Sequence, residues 1–114
     1  MRSQLLKDVP ISEHGNERKI VRCEVRYSKG GMSWGSKPNP RGYYLDVQPM
    51  ALEQGDGYCM QKYMMFSGKC WFLLEAGRFS PKGMAEAVRL GEQKLSDPAV
   101  AGFIEECVRV PVEV

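Results

Sequence analysis

Residues 18–28, RKIVRCEVRYS, set Val21, Cys23, Val25 and Tyr27 in alternation with Arg22, Glu24 and Arg26. Period 2 marks a strand with one buried and one wet face. Residues 42–50, GYYLDVQPM, alternate again. Tyr43, Leu45 and Val47 share one face; Tyr44, Asp46 and Gln48 share the other. Pro49 has no N–H for a ladder, which predicts a strand end or an edge. ALEQGDG (51–57) is turn chemistry. YCMQKYMMF (58–66) reads as a third strand, rich in aromatic residues and weaker in alternation. Strands joined by local connections imply an antiparallel meander.

At Ser67 the period changes. Ser67 can cap a helix from about Gly68 to Phe79, with Cys70, Leu73, Leu74 and Gly77 on one face. Ser80-Pro81 is an N-cap followed by Pro at the first helical position, starting a helix to about Leu95. Asp97-Pro98 repeats that signal before Val100, Phe103, Ile104 and Cys107. Val108, Val110, Val112 and Val114 then alternate as a short terminal strand or tail. Ahead of the first strand, residues 1–17 hold no sustained period and are punctuated by Pro10, Gly15 and Asn16. They predict a flexible N-terminal arm with one helical turn near Leu5 and Leu6. Residues 18–114 then make a single α+β domain. Its sheet is a three- or four-stranded antiparallel β-meander, followed by two to three helices packed on one face. The other face looks outward with Arg22, Arg26, Tyr44, Gln48, Gln61 and Tyr63.

Composition narrows the class without naming an activity. The 114 residues are 43% hydrophobic and 26% charged, which is ordinary globular usage. Sixteen Lys+Arg against 14 Asp+Glu give +2, which excludes an acidic nucleic-acid mimic and a histone-like protein. No apolar run is long enough for a transmembrane helix. MRSQLLKDVPISEH lacks the apolar core and cleavage site of a signal peptide, so no membrane partner is expected. Cys23, Cys59, Cys70 and Cys107 show no close pairing and sit among apolar residues, as reduced core thiols of a cytoplasmic protein would. They do not have zinc-ligand spacing either. His14 is the one histidine, placed far from any nucleophile pattern. No P-loop and no dinucleotide fingerprint is present. No cofactor, no metal and no enzymatic activity is expected.

Charge distribution carries more. Over residues 18–41, seven Arg and Lys face Glu24 alone, a local +6. Trp34, Tyr43 and Tyr44 lie in or beside this stretch. Basic groups interleaved with aromatics suit nucleic acid, because phosphates pair with cations while bases stack on rings. The connection from Lys29 to Arg41 is long for a hairpin, and such loops often carry function. Met32 and Trp34 stand in it as large apolar anchors.

Lys29-Gly30-Gly31-Met32, Arg41 through Pro49, and Phe66-Ser67-Gly68 together resemble small proteins of plasmids, prophages and integrative elements of gut Firmicutes. That setting includes anti-CRISPR-type inhibitors. The resemblance covers about a third of the chain. It implies a mobile-element setting, and by association an inhibitor of a host defence nuclease.

The function expected is non-enzymatic binding of a single-stranded nucleic acid, a protein or a nucleoprotein complex. Arg22, Arg26, Lys29, Lys37 and Arg41 would contact phosphate or acidic groups. Met32, Trp34 and Tyr44 would stack or fill pockets. The alternative is a structural or regulatory interaction module without nucleic acid, forming a homodimer through an edge strand.

Overall fold

The computed structural model describes residues 2–15, 17–31, 39–55, 58–63 and 71–109. Five strands and two helices follow in order: β1 Ser3–His14, β2 Glu17–Ser28, β3 Gly42–Gly55, β4 Tyr58–Tyr63, β5 Trp71–Ala76, α1 Pro81–Lys94 and α2 Pro98–Arg109. The sheet is antiparallel, ordered β1-β2-β3-β4, and β5 pairs with β3. This is an α+β fold in which an antiparallel sheet precedes its helices.

The alternation in 18–28 and 43–48 does what period 2 requires. β2 and β3 pair without a bulge, with Val25 opposite Leu45, Cys23 opposite Val47 and Tyr27 opposite Tyr43. Val21, Cys23, Leu45 and Val47 form the main core with Val100 and Cys107 of α2. Val25 and Tyr43 form a second cluster with Met84 and Ala87 of α1. Both helices therefore cover one face of the sheet.

The helix starts are as the sequence predicts. Ser80 is extended and its hydroxyl accepts from the Gly83 N–H at 2.9 Å, with Pro81 in the first turn. Asp97 opens α2: its carboxylate accepts from the Ala99 N–H at 3.0 Å. That bond first, then Lys94, holds the Asp97 carboxyl below its ordinary range.

Four local expectations are corrected. Residues 3–14 are a strand rather than an arm, paired with β2 along most of its length. Leu6 and Ile11 fall at register shifts, so the apolar positions Leu6, Val9 and Ile11 lose period 2 yet all pack on the core. Residues 71–76 are β5 rather than helix, and residues 64–70 of that expected helix lie outside the described residues. Phe72 and Leu74 pack inward, with Leu74 at another register shift. Residues 51–55 continue β3 rather than turning. Val108 and Arg109 end α2, and the rest of the expected tail strand lies outside the described residues.

Pro49 sits inside β3, opposite Val21. On its other flank it falls between residues 42–46, which pair with β5, and residues 50–55, which pair with β4. Its missing N–H is tolerated at this gap in the ladder. β1 lies at the edge of the sheet. Its two bulges, Pro10 and exposed Lys7 are features that blunt an edge against pairing with another chain. No helix among the described residues is long and apolar enough to cross a membrane.

Candidate nucleic-acid interface

The sheet face opposite the helices carries Arg22 and Arg26, and cross-strand neighbours claim both. Asp8 of β1 stands opposite Arg22. Its carboxylate accepts two bonds, from Nε and a terminal nitrogen, both at 2.9 Å. This fork geometry is the strong form of an arginine–carboxylate pair. Arg26 lies 3.4 Å from Asp46 and 3.9 Å from Glu24.

Glu24 and Asp46 are directly opposed across β2 and β3, a like-charge pair that repels unless a cation lies between. Arg26 supplies that cation. Asp46 is 1% exposed, and Gln48 donates to it at 2.8 Å. Burial raises the Asp46 carboxyl above its ordinary value, opposed by the Gln48 and Arg26 contacts. Among the described residues, three carboxylates, Asp8, Glu24 and Asp46, thus stand against Arg22 and Arg26. The local +6 read along the chain does not make a positive face.

Tyr44, expected to point outward for stacking, is buried at 5% exposure. Its ring packs 5.4 Å from Trp71, and its hydroxyl donates to the Pro40 carbonyl. Met32, Trp34 and Lys37 lie outside the described residues, as do the side chains of Gln61 and Tyr63.

Lys29 and Arg41 are exposed at one end of the sheet. Ser28, beside Lys29, pairs with Gly42, beside Arg41, and Gly42 pairs with Ala76. The Gly77 N–H donates to the Arg41 carbonyl at 3.0 Å, which brings exposed Arg78 to the same end. Gly42 is needed here: a Cβ would lie 2.3 Å from the Glu75 carbonyl oxygen and 2.8 Å from Ala76 Cα.

Tyr43 fixes the next segment. Its hydroxyl accepts from the Ser80 N–H at 2.9 Å and lies 3.1 Å from the Ser80 carbonyl. Gly83 leaves room for that hydroxyl, which a Cβ would meet at 2.5 Å. The first turn of α1 is thereby pinned to β3, and exposed Lys82 lies in it. That turn holds no acidic residue to satisfy the positive end of the helix.

From β1, the Arg2 carbonyl accepts from the Tyr27 N–H at 2.9 Å. The Arg2 guanidinium carbon lies 5.4 Å from the Tyr27 ring centre and 4.8 Å from that of Phe79. Arg2, Lys29, Arg41, Arg78 and Lys82 thus gather at one end from four segments of the chain. None has a carboxylate within ion-pair distance among the described residues. Glu75, exposed on β5, stands opposite Tyr43 beside this end, and Glu86 of α1 is paired with Arg89.

Sequence reasoning found two of these five cations. It missed Arg2, which lies in the segment read as an arm. Arg78 and Phe79 lie in the segment read as a helix. The signal available was Ser80-Pro81: a helix starting there needs an extended connection just before it.

Cys23 and Cys107 are buried free thiols in the core, and burial pushes the Cys23 thiol up to about 11. Among the described residues no group of three or more His, Cys, Asp or Glu is placed to hold a metal ion. No protein-family model, no curated protein and no solved structure matches the chain.

Proposed function

We propose that this chain is a non-enzymatic binding protein that takes nucleic acid at the end of the sheet carrying Arg2, Lys29, Arg41, Arg78 and Lys82. The observation that supports this is the pairing contrast. Arg22 and Arg26 are engaged by carboxylates, whereas the five cations at this end have no such partner among the described residues. These cations supply phosphate contacts, and the half-buried rings of Tyr27 and Phe79 beside them supply the aromatic surface that single strands need. The nucleoprotein form of the target, a host defence nuclease that the protein inhibits, rests on the resemblance of residues 29–32, 41–49 and 66–68 alone.

Fluorescence anisotropy of a labelled single strand across a salt series tests the reading. Affinity should fall with a log–log slope of about −0.7 per phosphate contacted. Arg41→Ala and Arg78→Ala should each flatten that slope by about one contact. Absence of binding at low salt, or binding insensitive to salt, would count against it.

A further inference from the structure

We infer that Tyr27 and Phe79 form a stacking platform for one unpaired nucleobase, and that the Arg2 guanidinium lies where that base would stack. This rests on the nucleic-acid reading above and names the contact that gives it a preference for single strands.

The platform is built from below. Tyr43 is 2% exposed, and its ring lies 5.2 Å from that of Tyr27 in an edge-on arrangement. Phe79 stands 5.4 Å from Tyr27 and 6.3 Å from Tyr43. The Tyr27 hydroxyl donates to the Gly77 carbonyl at 3.2 Å, which fixes its ring against the connection after β5. The Ser80 N–H on the Tyr43 hydroxyl fixes the segment that carries Phe79. The two half-buried rings are tilted by 55°, so a plane laid on one meets the edge of the other.

Arg2 shows what shape this surface takes. A guanidinium is a planar, delocalised cation that stacks on aromatic faces. A nucleobase is a larger plane for the same ring faces, and each base stacked on an aromatic ring contributes more than an exposed cation–π contact. Displacement is local. The Arg2 backbone is held by the Tyr27 N–H, so only its exposed, flexible side chain has to swing away. The freed guanidinium then joins Arg41, Arg78 and Lys82 as a phosphate contact.

The test compares two ligands on the wild-type protein: a short labelled single strand, and a strand of equal length lacking its bases. DNA and RNA versions of both distinguish the two sources of an unpaired base. The intact strand should bind roughly 5- to 100-fold tighter than its abasic counterpart in at least one of these arms. Phe79→Leu should lower intact-strand affinity by a similar factor, leaving abasic binding and the salt slope unchanged. If that variant does not fold, the intact-to-abasic ratio on the wild type decides alone. Equal, salt-sensitive binding of intact and abasic strands in both arms would overturn the platform while the electrostatic reading stood. No binding of any strand at low salt would overturn both.

Discussion

Asp46 sits in a dry position on the sheet, held by Gln48 and Arg26 and opposed by Glu24. Burial raises its folded-state pKa above the ordinary value of 3.8. Only between that value and the raised one does the folded protein hold a proton there that the unfolded chain releases, so the associated stability is lost as pH rises through this window. Asp46→Asn removes the titration. The stability of this variant relative to wild type should be constant in acid and should rise with pH from about 4 upward, read from denaturant midpoints across a pH series. A constant or falling difference would mean that Arg26 outweighs burial.

Tyr43 gives a second residue-scale outcome. Tyr43→Phe leaves the Ser80 N–H without its partner and should destabilise the fold by about 1–2 kcal/mol in urea unfolding. A change below about 0.3 kcal/mol would show that water replaces the hydroxyl at no cost. Cys23 and Cys107 should label slowly in the folded protein, because burial disfavours the thiolate at both. Peptide mapping after pulse alkylation would show fast labelling of either if it is accessible.

At the scale of elements, β2, the first half of β3 and both helices could be read from the chain, because each carries an uninterrupted period or an N-cap with Pro. β1 and β5 could not. Each holds at least one bulge, and a bulge shifts the apolar positions by one residue. Leu6, Val9 and Ile11 then imitate irregular chain, and Trp71-Phe72-Leu73-Leu74 imitates a wide helical stripe. The consequence for β1 is measurable. Amides of residues 3–14 that bond to β2 should resist hydrogen exchange far longer than an arm would, with protection near that of β2 itself. Exchange within the dead time across this segment would return it to an arm. Gly42→Ala drives a Cβ into the β5 backbone and should destabilise by about 1–3 kcal/mol by thermal or denaturant unfolding. Tolerance of alanine there would mean that β3 and β5 are farther apart than described.

For the whole molecule, charge counted along the chain puts the candidate surface on the open sheet face, whereas the surface proposed above lies at one end of the sheet. Counting charge along residues 18–41 finds the cations but cannot see that Asp8 and Asp46 reach Arg22 and Arg26 across the sheet. Those acids come from segments 14 residues before and 20 residues after their partners. Those pairs engage Arg22 and Arg26, and the proposed surface moves to the end where β1, the β2–β3 connection, the segment after β5 and the start of α1 meet. That relocation is the central claim, and amide chemical-shift mapping on the labelled protein titrated with a short single strand tests it most directly. The largest shifts should fall on Arg2, Tyr27 to Gly30, Arg41 and Gly77 to Gly83, with residues 22–26 and α2 little changed. Shifts centred on Arg22 and Arg26, or on α2, or no shifts at saturating strand, would contradict it.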